Sequence, residues 1–419
     1  MKIIVARCLL LSLIVTTQSF AADLTSVTGF GMNTHGGMAA PDMRILKVVN
    51  THSDGEGSLR WALAQKGPRL VIFEVGGVVN LAKDGITISE PFVTIAGETA
   101  PKPGITLIRG GITVRTHDVQ IRHLMVRPGD NNEKRRSGWE SDGISVSGAD
   151  AYDVHIDHCS LTWAIDENAS ASGPRDKGHD ATSKRITFSN SIIAEGLDNS
   201  THIKGKHSKG LLVHDYVRDV AIVGNLFAHN DRRNPYFKGH TNGVVVNNLL
   251  YDIGNAAVQL GYVDDEYAIS GLTPANPIVS VVGNVLIYGT DSYSDLPLVA
   301  YQGDAFLEDN QVINLRNLPM PQVYGDVKRL TTRTRWPEGL TPIASSDVEK
   351  SVLKNVGARP WQRDPIDQRI INSVIKRTGG IINSQNDVGG YPRYKTTHRT
   401  LNPPTTELDK WLAQFSIVD

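Results

Sequence analysis

A chain of 419 residues with 43 Lys and Arg against 44 Asp and Glu, a formal net charge of -1, has no net positive charge to draw it onto nucleic acid, so any basic patch must be local. The 39 glycines beside only 6% aromatic residues suit many short strands joined by turns, and a chain this long stays one domain if it is a repeat, because repeats grow without splitting. Two cysteines, Cys8 and Cys159, exclude a disulfide-stapled scaffold and leave stability to an apolar core.

The first residues read as an export signal. Lys2 and Arg7 give a positive start, Cys8 to Val15 is an apolar run, and Ser19-Phe20-Ala21 ends on small residues. That order predicts a removable signal over residues 1–22 and a secreted or periplasmic protein. The run is too short to span a bilayer, and no later stretch is long and apolar enough to do so. Removal takes Cys8 away and leaves Cys159 as a buried, small apolar side chain.

Ser58 to Lys66, stopped by Gly67, reads as a short helix with a Ser cap and a Gly end. It precedes the apolar strand Leu70 to Val75 and would plug the N-terminal end of whatever follows, since bare sheet edges aggregate. Short β-branched runs then recur at Val93, Val119, Val154, Ile186, Val220, Val244 and Val279, within the period of roughly 20–50 residues of a solenoid. Most are followed by an imidazole or amide: His123, His158, Asn190, Asn225, Asn248, Asn284 and Asn310. The common register predicts an inner ladder in which these side chains stack at left-handed bends and bond to one another. The fold class is all-β, a parallel β-helix over residues 23–320.

After residue 320 the pattern changes. Asp364-Pro365-Ile366-Asp367 opens a capped helix, with Ile366, Ile370, Ile371, Val374 and Ile375 on one face and Gly379-Gly380 as its stop. Residues 321–419 are therefore expected to be an extension packed back on the coils rather than a second domain.

Three sets of residues carry chemistry. Glu140 and Asp142 alternate to one side of a strand, and Asp166 with Glu167 follows one coil later. Stacked carboxylates repel unless a hard cation neutralises them, which suits Ca²⁺; solvated turn acids are the alternative. Lys204, Lys206, Lys209, Arg232, Arg233 and Lys238 lie beside later strands, where they would bind carboxylates or form a solvated charge run. His155, His158, His202, His207, His214, His229 and His240 show no recognised zinc spacing, and His158 is assigned to the inner ladder. Trp139, Trp163 and Tyr236 would stack on sugars or pack at the rim.

With these residues in view, the chain resembles the polysaccharide lyase family of pectate and pectin lyases. The matching segments are Gly55-Glu-Gly-Ser-Leu-Arg60, Phe73-Glu-Val-Gly-Gly77, Thr94-Ile-Ala-Gly97, Asp142-Gly-Ile-Ser-Val146, Ile156-Asp-His-Cys-Ser160, Asn230-Asp-Arg-Arg-Asn-Pro235 and, late in the chain, Val388-Gly-Gly-Tyr-Pro392. The resemblance spans nearly the whole chain and implies a right-handed β-helix and calcium-assisted β-elimination of polygalacturonate. It implies that Glu140, Asp142 and Asp166 hold Ca²⁺. Ser170 stands where a further acid is expected, with Glu167 as its substitute. It implies Arg233 as the base and Lys238 as a substrate ligand, joined by Lys209 or Lys206 and by Arg232. The expected partner is an acidic polysaccharide, with neither nucleic acid nor membrane, and the protein a monomer. A metal-free pectin lyase, a lyase on another uronate polymer, a hydrolase on the same fold and a non-catalytic glycan-binding β-helix are the alternatives. The retained acids argue against the first. A hydrolase would need clustered Asp residues activating water, and no Asp-Asp pair with a Gly-His-Gly companion is present.

Overall fold

The computed structural model describes residues 28–38 and 40–417, so the expected export signal lies outside it. No helix among the described residues is long and apolar enough to cross a membrane.

Parallel strands stack in three ladders that wind as a right-handed β-helix. The first ladder begins with Arg44–Val48 and climbs through Arg69–Phe73, Val93–Ala96, Val119–Arg122, Tyr152–Asp157, Lys184–Ser189, Arg218–Val223 and Asn242–Val246 to Ile278–Val282. The second runs from Ile86–Ile88 through Ile112–Val114, Ile144–Ser147, Glu167–Ser172, Lys209–Val213 and Tyr236–Phe237 to Val258–Leu260. The long strand Val299–Glu308 joins these two, pairing with the second at its start and the first at its end. The third ladder runs from Val75–Asn80 to Gln311–Ile313. A last strand, Val323–Arg329, pairs with Val299–Glu308, so the ladder passes residue 320, where the extension was expected to begin.

All the β-branched runs read from the sequence lie on the first ladder. Their inward residues form one column, Ile95, Ile121, Ile156, Phe188, Ile222, Val245 and Val281, paired in register and fully buried. Every coil places the same position inward, so one apolar column supplies continuous burial along the stack.

The amide column follows the same logic, with a shift from expectation. Ser191 N–H donates to Asn225 Oδ1 at 2.9 Å. Each Nδ2 then donates to the next Oδ1, Asn225 to Asn248 at 3.0 Å, Asn248 to Asn284 at 2.9 Å and Asn284 to Asn310 at 3.1 Å. The left-handed bend falls one residue earlier, at His123, His158, Asn190, Gly224, Asn247, Gly283 and Asp309. His123, His158 and Asn190 thus occupy the bend, not the column. An inward amide needs extended backbone beneath it, and the bend needs only a residue that tolerates positive φ. The His123 and His158 rings stack at 5.0 Å, and His158 bonds Asp157 at 2.6 Å.

The capping helix is Leu59–Leu63, shorter than expected. Ser58 caps it by accepting from Trp61 N–H at 3.2 Å, and Leu59, Ala62 and Leu63 enter the main core. The strand Arg44–Val48 precedes it, so the ladder starts earlier than Leu70. Cys159 is buried, and burial pushes its thiol up to about 12.

The C-terminal segment lies along the third ladder. Helix Pro365–Lys376 is capped by Asp364, which accepts from Asp367 N–H. Ile366, Ile370, Ile371 and Val374 are buried against Ile192, Leu226 and Leu249, but Ile375 is 57% exposed and leaves the apolar face. The helix ends at left-handed Arg377 rather than at Gly379. Arg127 clamps it from the coils, bonding Asp364 at 2.5 Å and Asp367 at 2.7 Å with all three side chains buried.

Candidate active site

The outward face of the second ladder forms a groove of about 500 Å³. In these strands Ile144, Val146, Ala169, Ala171, Leu211 and Val213 point into the core. The alternate residues Ser145, Ser170, Leu212 and Tyr236 pair coil above coil and line the groove. The small hydroxyl side chains of Ser145 and Ser170 leave space at the acid end of the row that aliphatic side chains would fill. Asp142, Asp166, Glu167, Arg233 and Lys238 stand at the strand ends around this floor.

One carboxylate oxygen each from Asp142, Asp166 and Glu167 lies within 4.8 Å of the others. Asp142 accepts from Glu167 N–H at 3.2 Å and from Ser170 Oγ at 2.9 Å. Ser170 therefore sits at the acid site as a donor to an acid. Burial, with the Asp166 charge beside it, pushes the Asp142 carboxyl up to about 7. Burial acts on Asp166 in the same direction, but the hydrogen bond from His207 together with the charges of His207, Arg233 and His202 holds that carboxyl below its usual range. Crowded oxygen donors whose charged forms disfavour one another fit a hard divalent cation. Glu140 does not join them. It accepts from Ile203 N–H at 2.9 Å and faces His202 Nδ1 at 3.3 Å.

The basic residues divide into two groups. Arg233 reaches the carboxylates, pairing with Glu167, and lies over the Tyr236 ring at 5.9 Å. Burial lowers the Arg233 pKa against the opposing pull of Asp166. Its backbone is left-handed, at φ 62°, a conformation that persists only where the surroundings hold it. Lys238 lines the same groove and pairs with Asp215 at 3.1 Å and with Glu266. Lys209, Lys206 and Arg232 line a neighbouring hollow with Asp198, Asp231 and Asn255. Lys209 is buried there, which lowers its pKa. Lys206 has an 80% exposed side chain, 3.9 Å from Asp198. Arg232 pairs with Asp231 at 3.2 Å.

Beneath the groove runs a second amide chain that the sequence reading missed. Asn168 Nδ2 donates to Asn230 Oδ1 at 3.3 Å, and Asn230 Nδ2 to Asn234 Oδ1 at 3.0 Å, all three fully buried. Asn168 follows Glu167 and Asn234 follows Arg233, so the inward amides tie together the coils that carry the outward charges. The local signal was Asn-Asp-Arg-Arg-Asn, with asparagines flanking the arginines. Also missed as neighbours were His202 and His207, which contact Asp166, and the Asp215 and Glu266 partners of Lys238. Trp163 belongs to the core, donating to Glu195 at 2.9 Å, and Trp139 donates to Gly129 O at 2.8 Å. Of the three aromatics, only Tyr236 lines the groove.

No family model matches the chain. Relatives do. The chain is 31% identical over 392 residues to probable pectate lyase C of Aspergillus flavus, covering 91% of this chain and 84% of that protein. It is likewise 31% identical over 396 residues to probable pectate lyase C of Emericella nidulans, covering 91% and 83%. Among solved structures, the cedar pollen allergen Jun a 1 superposes with a TM-score of 0.57 at 18% identity over 79% of this chain and 92% of that one. A thermostable pectate lyase does so with 0.54 at 14% over 81% and 98%. With a β-helix, a groove of carboxylates and basic side chains, and relatives of this closeness across its length, the chain belongs to the pectate lyase family of polysaccharide lyases.

Proposed function

We propose that the chain is an exported, calcium-dependent lyase that cleaves polygalacturonate by β-elimination in the groove on the second ladder. The observation that carries this reading is the meeting of Asp142, Asp166 and Glu167 with half-buried Arg233 and buried Lys238 in one groove. A solved relative-in-fold from Bacillus sp. N165 is a complex with trigalacturonate, which supports an acidic sugar chain as ligand.

The C5 proton of a galacturonate unit becomes acidic as the neighbouring carboxylate is neutralised. Asp142, Asp166 and Glu167 would hold Ca²⁺, which when bound would supply positive charge for that carboxylate and offset the negative surroundings that keep Arg233 protonated. Lys238 adds a second positive charge at the groove wall, and Lys209 and Arg232 extend the basic surface toward the next sugar. Arg233, neutral through burial and the loss of anionic company, takes the C5 proton. The electrons of the C5–H bond form a C4–C5 double bond as the C4–O bond breaks, and the departing sugar oxygen takes up a proton, from Arg233 or from solvent, so that no water is added across the bond. The reading requires activity to rise with pH, since the base works deprotonated and an arginine side chain is ordinarily protonated.

The test is the ultraviolet absorbance of the unsaturated product, followed with purified protein on polygalacturonate at alkaline pH, with Ca²⁺ and with a chelator. A rise that needs Ca²⁺ supports the proposal. A rise that survives chelation removes the metal, and no rise on this polymer removes the substrate.

A further inference from the structure

Asp166 belongs to a second group. His202 and His207 both lie buried beside it, with their rings stacked at 3.7 Å between centroids. One ligand atom each from Asp166, His202 and His207 falls within 4.8 Å of the others. Asp166 Oδ1 lies 2.8 Å from His207 Nε2 and 3.9 Å from His202 Nε2. Donors around a tetrahedral zinc ion, with bonds of about 2.0–2.1 Å, stand about 3.3 Å apart, so these two distances bracket the spacing zinc requires. Two imidazoles and a carboxylate select a borderline metal, whereas the three carboxylates next to them select a hard one. Glu140, which does not join the carboxylate group, faces His202 Nδ1 at 3.3 Å. A carboxylate behind a ligating imidazole fixes the ring and holds its remaining proton. Without metal His202 Nδ1 accepts from Lys204 N–H at 3.1 Å; with metal on Nε2 the ring proton moves to Nδ1, which then faces Glu140 as a donor.

We propose that Asp166, His202 and His207 form a site for a borderline divalent cation of the zinc type, with Glu140 orienting His202. The site is distinct from the oxygen-only group but shares Asp166 with it. The cation fastens the segment Thr201 to His207, whose tip at Ile203 is exposed, against the groove beside the catalytic carboxylates. Because one carboxylate serves both groups, zinc and calcium affinities are linked, each cation changing the other's binding by the same factor.

The inference does not rest on the lyase reading, because binding is read without substrate. Untagged full-length protein, stripped with chelator and dialysed, is titrated with zinc chloride by calorimetry. One equivalent is expected to bind. His202→Ala and His207→Ala are expected to weaken binding at least about 100-fold, and Glu140→Gln about 10-fold. X-ray absorption of the zinc-loaded wild type is expected to show two imidazole nitrogens and oxygen in the zinc shell. No saturable binding to the folded wild type, an all-oxygen shell, or unchanged affinity in His202→Ala and His207→Ala overturns the proposal. The wild-type measurements decide the matter even if a variant fails to fold. Zinc binding without lyase activity leaves this site standing and removes only the lyase reading.

Discussion

The buried column Asn225, Asn248, Asn284 and Asn310 and the pair Asp142 and Glu167 are made by the same operation, the stacking of equivalent side chains on neighbouring coils, with Asp166 set beside Glu167 on its own coil. They differ in what stacking does to them. A carboxamide has a donor and an acceptor, so each asparagine satisfies the next and the column is neutral and closed. An ionised carboxylate only accepts, so the same stacking juxtaposes like charges and leaves a demand for a cation. Where a repeat stacks a group that cannot complement itself, something from outside the repeat must complete it. At Asp364 and Asp367 the chain provides its own cation, Arg127, and there the result is a structural clamp.

The comparison can be broken experimentally. The largest effect is expected at the groove: Arg233→Ala should lower kcat/KM about 10²–10⁴-fold while leaving the fold and oligogalacturonate binding in place. Product absorbance and a binding titration check it, and near wild-type turnover would place the chemistry elsewhere. The next largest tests the column with the groove's own side chain. Asn248→Asp removes the donor to Asn284 and should destabilise by about 1–3 kcal/mol or more, increasingly as pH rises and the buried acid ionises. Denaturant melts at acid and neutral pH measure it.

The reverse exchange has the opposite sign. Asp142 has its folded pKa raised above the unfolded value. Its stabilising contribution is therefore present below the unfolded pKa and lost as pH climbs through about 7. Chelated wild type should lose thermal stability across that window, Ca²⁺ should restore it, and Asp142→Asn should melt a few degrees higher without Ca²⁺ and respond little to its addition. A chelated melt that is flat from acid to neutral pH would mean that the stacked charges do not strain the fold. The smallest effect is expected at exposed Lys206: Lys206→Ala should stay within about 0.5 kcal/mol in stability and KM. Lys209→Ala, in the buried position, should raise KM for polygalacturonate. Equal effects on KM would erase the distinction between the two lysines.

Much of this contrast is legible in the sequence, though unevenly. The first ladder announces itself because its strands carry β-branched runs on a core-facing column. The second does not, since strands such as Glu167–Ser172 are rich in Ala, Ser and Asn, the small and polar residues a groove floor needs. The third is built from short pieces such as Ser160–Thr162 and Ile192–Ala194, too brief to show a period. The amide column was visible, but its register slipped by one residue wherever His123, His158 or Asn190 offered a polar side chain at the bend. Asp142 and Asp166 come together as the stacking of coils suggested, and Arg233 and Lys238, picked out by the resemblance, line the same groove. Glu140 turned away because His202, on a loop whose path no periodicity encodes, captured it. Long-range pairs such as Asp166 with His207 depend on where a turn returns, and residue type alone does not say.

The tail has a consequence beyond packing. It leaves the stack near its far end, lays Ser345–Asn355 and Pro365–Lys376 along the third ladder, pairs Thr397–His398 antiparallel to Val75–Gly76 on an early coil, and ends with the helix Leu408–Ala413, whose Leu412 packs with Leu70 and Ile72. Lys47 and Glu74 on the first coils also bond the backbone of Leu401. A solenoid whose coils touch only their neighbours can fray from either end, coil by coil. Here a strap joins late coils to early ones, so terminal coils cannot open independently, and melting becomes a property of the whole loop of contacts. The protein should therefore unfold in one sharp transition, and a protease cut between Arg329 and Ser345 should broaden that transition before it abolishes the fold.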